Sequence, residues 1–280
     1  MSDVKKVAVI GAGAMGSGIA AQAANAGCEV VLLDKFEGVA DKAVARMKKA
    51  KPTDVFNAGF MVSSNAKRVT TGTIDNDIEK IADADVIVEA VFERLDIKQE
   101  TFNLIHKHAK KDAVITSNTS TIQIEKLVEG MPEDFKKRFM NTHFFNPVRF
   151  MALLEVIQGK DTDPAVFEQM REFGDKVLGK KVVKAKDSPA FIGNRIGVYM
   201  IERATKEAKD LNFPIEDFDA ILSPAFGFPK LGVYKLGDTV GIDILQHVGQ
   251  NLHDGLPTSD EFNEIYDPAF IEQMVEDKRT

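Results

Sequence analysis

Cysteine and long apolar runs are scarce in this sequence, and basic residues are fewer than acidic ones. The only cysteine is Cys28, so an intrachain disulfide is excluded and a reducing compartment is expected. No apolar run approaches the roughly 18 residues of a membrane-spanning helix. The first residues, MSDVKKVAVIGAG, lack the layout of a signal peptide. We therefore predict a cytoplasmic protein with no membrane partner.

The charge balance argues against another class of partner. The 36 basic and 43 acidic residues give a net charge of -7 over 280 residues, which makes nucleic acid an unsuitable main ligand. A polyanionic ligand would need a local basic patch. The length suggests one large or two ordinary domains. No cluster of Cys, His and Asp residues has the spacing of a metal site.

The N-terminal segment has the pattern of a dinucleotide-binding unit. A short apolar run, KVAVI, is followed by GAGAMG, an alanine-rich stretch and a second apolar run, EVVLLD. Gly11 would permit the tight turn, Gly13 the approach of a pyrophosphate, and Gly16 close packing of the helix on the strand. Asp34 ends the second run, where its carboxylate can accept both ribose hydroxyls and would repel a 2′-phosphate. The pattern favours NAD over NADP, with FAD as the competing cofactor.

The pattern of elements changes near residue 187. Before it, apolar runs alternate with helical segments and predict a Rossmann-type, doubly wound, mainly parallel sheet. After it, a long helix is predicted from Pro189 to Asp210, and further helical segments are IEDFDAILSPAF, TVGIDILQHVGQNL and DPAFIEQMVED. The predicted fold class is therefore α/β with a smaller all-helical domain. The expected domains are 1–187 for the cofactor and 188–280 for the substrate cleft and oligomerisation.

A histidine and a glutamate lie in two of the most apolar segments, NTHFFNPV and ALLEVI. If these segments form an antiparallel hairpin around Arg149, Phe145 pairs with Leu153 and His143 with Glu155. Paired Cβ atoms lie about 5 Å apart, which permits a hydrogen bond between imidazole and carboxylate. The carboxylate would fix the tautomer and leave the other ring nitrogen as a general base. The alternative is a structural histidine on a strand.

Several polar residues near predicted strand ends are further candidates. Glu93, the segment Ser117–Ser120 and His143 would converge beyond the carboxyl edge of the sheet. The small polar residues of SNTS either cap the next helix or line the cofactor cleft. Asn194 would share a helix face with Phe191 and Val198. It is then either a polar tie between helices or a residue that orients the substrate or Ser120.

The segments GAGAMGSGIA, VIVEAVFERLDIKQETF, SNTSTI, THFFNPV, LLEVI, DSPAFIGNR and LGDTVGIDI together resemble the L-3-hydroxyacyl-CoA dehydrogenases. The resemblance runs nearly end to end. It implies an NAD-dependent oxidoreductase of fatty-acid oxidation, which interconverts the 3-hydroxyl and 3-oxo groups of an acyl-CoA. It also implies that the protein forms a homodimer or is part of a larger multidomain chain.

The resemblance assigns roles by motif. His143 would be the base and Glu155 its partner, while Ser120 and Asn194 would contact the region of the reacting oxygen. Cofactor contacts are expected from Gly11, Gly13, Met15, Gly16, Asp34, Glu93, Lys98, Asn118 and Asn146.

The chain also departs from the family pattern. Where the family often has PGF it has Pro189, Ala190 and Phe191, and where the family often has PVPVMKL it has PVRFMAL, so Arg149 could alter the path of the acyl or pantetheine group. The stretch SPAFGFPKLGVYKLGDTVGIDIL resembles longer bacterial members, which led us to expect a fragment of a larger polypeptide. Lys48, Lys49 and Lys51 are the candidate patch for the CoA 3′-phosphate, the alternative being a solvated helix end.

Two rival functions remain open from the sequence. A β-hydroxyacid dehydrogenase of the 6-phosphogluconate type shares the glycine-rich NAD domain, but those enzymes resemble one another in using a catalytic lysine. The pair of His143 and Glu155 disfavours this first rival. The second rival is a non-catalytic structural relative, similar to the lens crystallins that resemble this family, and the presence of His143, Glu155, Ser120 and Asn194 together disfavours it.

Overall fold

The computed structural model describes residues 4–51, 53–224, 230–269 and 272. The chain divides into two compact units, Met1–Asp187 and Ser188–Thr280. Among the residues described, none of the helices combines the length and the apolar composition that crossing a membrane requires.

The first unit is built on one eight-stranded sheet with the order β3-β2-β1-β4-β5-β6-β7-β8. Every neighbouring pair is parallel except β6 and β7, which run antiparallel. Helices cover both faces, so the central strands are buried runs of Val, Ile and Leu. The strands are β1 Lys6–Ile10, β2 Glu29–Asp34, β3 Val69–Thr73, β4 Val86–Glu89, β5 Val114–Ser117, β6 Phe139–Phe144, β7 Leu153–Gln158 and β8 Lys181–Ala185.

The helices of this unit connect the strands. A π-helical turn, Phe173–Val177, continues the last of them, and short 3-10 turns precede β3 and β4 at Ser63–Arg68 and Ile78–Ile81. The predicted doubly wound, mainly parallel sheet is confirmed. The helices are α1 Ala14–Asn25, α2 Val39–Lys49, α3 Ile74–Asp77, α4 Leu95–His108, α5 Ile124–Leu127, α6 Glu133–Lys137 and α7 Pro164–Glu172.

The second unit is helical in the residues described. It contains α8 Gly193–Asp210, α9 Ile215–Ile221, α10 Tyr234–Val240, α11 Ile242–Gly255 and α12 Glu261–Ile265. Its core packs α8 against α11 and α12 through Val198, Val248, Leu252 and Phe262. This core is apolar along one face of each helix, as expected for helices that pack on one another.

Two helix boundaries differ from the prediction. The long helix begins at Gly193 rather than at Pro189, because Ala190 (φ 56°) and Phe191 (φ 52°) adopt left-handed backbone conformations that an α-helix does not contain. The segment TVGIDILQHVGQNL is two helices, because Gly241 has a φ of 105° and separates α10 from α11. The end of IEDFDAILSPAF and most of DPAFIEQMVED lie outside the described residues.

Candidate active site

The glycine turn after β1 has room for a ligand at one position only. Gly11 has a φ of 106°, and a Cβ there would overlap the carbonyl oxygen of Ala90. A Cβ on Gly16 would overlap the carbonyl oxygen of Gly11, so the helix packs on the turn without a gap. A Cβ on Gly13, in contrast, would meet nothing within 4 Å. The open space at Gly13 is a cradle that a pyrophosphate would fill.

The ends of β1 and β2 present the groups that a dinucleotide needs. Gly13 is the N-cap of α1, and no side chain caps the helix there, so the first N–H groups are available for an anion. Asp34 ends β2 and accepts hydrogen bonds from the N–H groups of Ala12, at 2.7 Å, and Phe36, at 3.1 Å. These bonds hold the Asp34 carboxylate beside the turn. Met15, in the first turn of α1, is partly buried against the core.

Two glycine substitutions separate the packing role from the binding role. We expect Gly16→Ala to lower the free energy of unfolding by about 1–3 kcal/mol, because its methyl group overlaps backbone that cannot move independently. Gly13→Ala should change that free energy by less than about 1 kcal/mol but weaken NADH binding, because its methyl group occupies the cradle. Urea titration and NADH fluorescence titration measure the two effects. Equal NADH affinity for Gly13→Ala and the unmodified protein would contradict the assignment.

A buried ion-pair network lies at the carboxyl end of β4. Lys98, on α4, is 1% exposed, and its Nζ lies 2.8 Å from Glu89 Oε1 and 3.1 Å from Glu93 Oε2. Glu89 is fully buried and also accepts hydrogen bonds from Ser117 Oγ, at 2.5 Å, and Val91 N, at 2.7 Å. Lys98 therefore lies behind Glu93, and its direct contact with the cofactor stays a prediction.

The two carboxylates differ in their proton affinity. Burial raises the pKa of Glu89 even though Lys98 and Ser117 favour its anion. Burial alone would also raise the pKa of Glu93, but the charge of Lys98 and the hydrogen bonds from Thr119 and Ser120 hold it below its ordinary value. Glu93 is thus the carboxylate that stays ionised at the sheet edge.

Glu93 also organises the loop after β5. Its Oε1 accepts hydrogen bonds from the Thr119 hydroxyl, from Ser120 N at 3.0 Å and from Thr121 Oγ1 at 3.0 Å. Thr119 Oγ1 in turn accepts a hydrogen bond from Ile122 N. The loop SNTST is therefore fixed by a carboxylate from the neighbouring strand end, rather than only by capping its own helix.

The predicted pairing of His143 with Glu155 is confirmed by the register of β6 and β7. His143 Nδ1 lies 2.7 Å from Glu155 Oε2, and the two residues are 5% and 0% exposed. The ladder ends at Phe144 and Leu154, so the predicted Phe145–Leu153 pair does not form. Phe145 instead packs its ring against the imidazole, with 4.5 Å between the ring centroids.

The strand order brings the other candidates of the first unit close to this pair. β5 is the parallel neighbour of β6, so the loop with Ser120 and the end of β6 with His143 follow adjacent strand ends. Asn118 Oδ1 accepts a hydrogen bond from Phe144 N at 3.0 Å and joins the two ends directly. The contacts of Ser120 and Asn118 with ligands stay predictions.

Asn194 belongs to the second unit and is only half-buried, in the first turn of α8. The predicted face shared with Phe191 is wrong, because Phe191 precedes the helix in a left-handed conformation. Val198 does lie on α8 and is buried. The proposed role of Asn194 therefore rests on its motif and no longer on this helical spacing.

A cavity of about 190 Å³ lies beside the first turns of α1. Asn146 and Arg149 line it from the β6–β7 connection, and Arg46 lines it from α2. Arg149 Nη1 donates to the carbonyl oxygens of Ala58, at 2.9 Å, and Phe60, at 3.3 Å. The candidate lysines Lys48, Lys49 and Lys51 are exposed and are not among the residues that line the cavity.

Two residues near the site, Glu89 and Arg46, were not predicted from the sequence. Glu89 lies in the apolar run VIVEAV, and a carboxylate in a buried strand was the same signal that identified Glu155. Arg46 is one of several basic residues near the end of α2, and nothing in the sequence distinguishes it from its neighbours.

A glycine cradle, an acidic residue at the end of β2 and a buried His–Glu pair at the same edge of the sheet define a dinucleotide-dependent dehydrogenase. Family models specify which one. Residues 6–188 match the 3-hydroxyacyl-CoA dehydrogenase NAD-binding domain, and residues 191–280 match the C-terminal domain of the same family. The chain belongs to the 3-hydroxyacyl-CoA dehydrogenase family. The predicted family, the enzyme class and the NAD cofactor are confirmed.

Individual relatives agree with this assignment. The chain is 40% identical over 266 residues to a "Probable 3-hydroxyacyl-CoA dehydrogenase" of Deinococcus radiodurans, covering 92% of this chain and 75% of the relative. It is 37% identical over 294 residues to a protein of the same description from Bacillus subtilis, covering 98% of this chain but 36% of the longer relative. The crystal structure of FadB2 from M. tuberculosis superposes with a TM-score of 0.86 at 30% identity, covering 98% of this chain and 94% of FadB2.

Proposed function

We propose that the chain catalyses the interconversion of (S)-3-hydroxyacyl-CoA and 3-oxoacyl-CoA with NAD(H). The observation that carries the proposal is the buried hydrogen bond between His143 and Glu155 at the carboxyl edge of a sheet whose glycine turn can hold NAD. Oxidation of a secondary alcohol removes a hydride and a proton together. The reaction therefore needs a base beside a nicotinamide, and it needs water kept out.

Each residue of the site has a separate role in this reaction. When bound, NAD accepts the hydride. Because Nδ1 of His143 faces Glu155, Nε2 is the ring nitrogen that takes the proton of the hydroxyl. The Glu155 carboxylate stabilises the imidazolium that forms. The family motifs assign Ser120 and Asn194 each a contact with the reacting oxygen, and Phe145 packs its ring against the imidazole.

A spectrophotometric assay tests this reaction. Purified protein should oxidise NADH when acetoacetyl-CoA is added, with loss of absorbance at the nicotinamide band, and should form NADH with (S)-3-hydroxybutyryl-CoA. NADH binding without turnover would favour the crystallin-like alternative. Turnover of a free 3-hydroxy acid but not of its CoA thioester would favour the β-hydroxyacid dehydrogenase alternative.

We propose that the cavity beside α1 receives phosphate groups of the CoA moiety. Arg46 and Arg149 line it, and arginine forms strong, charge-assisted hydrogen bonds with phosphate. Lys48, Lys49 and Lys51 extend the positive charge along the surface beyond the cavity. This local cluster supplies the basic patch that a chain of net charge -7 needs for a polyanionic substrate.

The substrate itself provides a control for this assignment. We expect Arg149→Ala to raise the KM for acetoacetyl-CoA about tenfold, the value of one lost charged contact of about 1.4 kcal/mol. The variant should leave the KM for acetoacetyl-pantetheine, which lacks the nucleotide phosphates, nearly unchanged. An equal rise in KM for both substrates would mean that Arg149 acts through its bonds to Ala58 and Phe60 instead.

Asp34 is proposed to select NAD. A 2′-phosphate beside this carboxylate would place like charges together, so NAD(H) should be preferred to NADP(H). We expect Asp34→Ser to narrow the ratio of kcat/KM for the two cofactors by at least about tenfold, because it removes the repulsion and one ribose acceptor. Equal kcat/KM for NADH and NADPH in the unmodified protein would contradict the proposal.

Cellular setting and assembly are the remaining proposals. We place the protein in the cytoplasm, in keeping with its single cysteine, which is buried and whose thiol pKa is raised by that burial.

We propose a homodimer joined through the helical unit, or the same arrangement inside a longer chain. Light scattering after size exclusion measures the oligomeric state, and a monomer at micromolar concentration would count against the dimer.

A further inference from the structure

Asn141, in the middle of β6, is a buried amide without a hydrogen-bond partner. The residue is 0% exposed, and neither Nδ2 nor Oδ1 has a partner. Among the described residues it is the one amide side chain with both polar atoms in this condition. Buried amides are nearly always hydrogen-bonded, to protein or to an ordered water, because an unpaired polar group in the core is costly.

Asn141 lies in the sheet between two buried charged pairs, Glu89–Lys98 and His143–Glu155. Asn141 is the register partner of Ser117 on β5 and of Ile157 on β7. Ser117 donates to Glu89, the carboxylate that binds Lys98. Because side chains alternate along a strand, Asn141 points to the same face of the sheet as His143, two residues further on.

Glu155 lies on that face as well. It pairs with His143, so it is the diagonal neighbour of Asn141 across the antiparallel ladder. Diagonal neighbours have Cα atoms about 7–8 Å apart, with less between the side chains. Side chains of this length can meet directly across such a separation, yet neither polar atom of the Asn141 amide has a protein partner. One water between the two polar groups is therefore the arrangement that would satisfy the amide.

We propose that Asn141 holds a buried water molecule that links the Ser117 hydroxyl, on the Glu89–Lys98 side, to the Glu155 carboxylate. The water can accept from Nδ2 of the amide and donate one hydrogen to Glu155 and the other to Ser117 Oγ, whose own hydroxyl hydrogen goes to Glu89. Oδ1 of the amide then accepts from a second water. Asn141 is then a positioning residue that acts through Glu155. This role in catalysis rests on the proposed function, whereas the water site does not.

The water site is tested first, without activity. A crystal structure of the unmodified protein at about 1.5 Å or better should show an ordered water within hydrogen-bond distance of the Asn141 amide and of Ser117 or Glu155. An amide whose two polar atoms bind protein groups directly, with no water beside them, would overturn the proposal. This outcome is independent of whether the protein turns over acyl-CoA.

Two substitutions at position 141 then test the link between Asn141 and Glu155. Asn141→Leu fills the space with apolar atoms and should lower kcat about threefold to tenfold, the fold-change that corresponds to the typical net contribution of one hydrogen bond. The acidic limb of its kcat–pH profile for alcohol oxidation should move to higher pH, because a carboxylate that loses a donor holds the imidazolium more tightly. The KM for NAD should stay unchanged.

Asn141→Gly is the companion variant, because it removes the amide but leaves space for waters that can still donate to Glu155. Its pH profile should move in the same direction as that of Asn141→Leu but by less, because those waters are no longer held by the amide. An unchanged profile for Asn141→Leu, or an equal shift in both variants, would overturn the positioning role. If Asn141→Leu fails to fold, the crystallographic water and the Asn141→Gly profile still decide. Inactivity of the unmodified protein with acetoacetyl-CoA would refute the proposed function and leave the water site standing on its own test.

Discussion

Replacing His143 by glutamine should lower kcat by about 10²–10⁴-fold, the usual contribution of general-base catalysis. Glutamine keeps much of the shape and can still hydrogen-bond Glu155, but it cannot take up the proton of the hydroxyl. The dissociation constant for NADH should change little, because the glycine cradle and Asp34 lie at the ends of β1 and β2. Steady-state rates with acetoacetyl-CoA and NADH fluorescence titration measure the two quantities.

Glu155→Gln provides the companion measurement. It keeps the volume and removes the charge 2.7 Å from His143 Nδ1, so kcat should also fall, by less than for His143→Gln. Near-normal kcat for His143→Gln would refute the mechanism without affecting the family assignment. A Glu155→Gln protein that does not fold would show that this buried carboxylate is required first for stability.

Replacing Lys98 by methionine should lower the free energy of unfolding by about 3–5 kcal/mol, because removal of one partner leaves buried charge uncompensated. Lys98 is 1% exposed and lies within 3.1 Å of oxygens of both Glu89 and Glu93. Methionine fills a similar volume, so the loss reports the missing charge rather than a cavity. Urea denaturation followed by circular dichroism measures the effect.

Lys176→Met is the matched control for Lys98→Met. Its ammonium pairs with Glu172 on the surface, where the side chain is 50% exposed, and exposed pairs contribute little. The control should therefore change stability by less than about 0.5 kcal/mol. Similar small losses in both variants would mean that Glu89 becomes protonated at little cost when Lys98 is absent.

Most strands were predicted well from the sequence, and one strand at the edge of the sheet was not. β1 and β2 have the bounds that their apolar runs indicated, because Val, Ile and Leu in a short run have few places to lie except a sheet covered on both faces. β3, VTTGT, was missed, since this strand at the edge of the sheet is half-exposed and carries no apolar signal. The predicted start of helix α8 was too early, because sequence patterns do not reveal a left-handed backbone at Ala190 and Phe191.

In the site, as in the fold, some features were predictable from the sequence and others were not. The His143–Glu155 pair was predictable, because the two residues are equally spaced about Arg149 in the hairpin, although the ladder ends one pair before Phe145 and Leu153. The association of Lys98 with Glu89 was not, because it depends on how the start of α4 returns over the end of β4. The unpaired amide of Asn141 was equally hidden, since its neighbours come from separate strands whose order in the sheet the sequence does not state.

The charged pairs of the site are close neighbours along the chain. Glu89 and Lys98 are 9 residues apart, and His143 and Glu155 are 12 apart, whereas Arg149 reaches Ala58 across 91 residues. Closing a short loop costs little chain entropy, and lengthening a remote segment adds almost nothing to that cost. Both pairs therefore bring their partners together at a small cost in chain entropy. We therefore expect insertions or deletions between residues 50 and 68 to displace the Arg149 anchor, and with it the proposed CoA contact, before they disturb either pair.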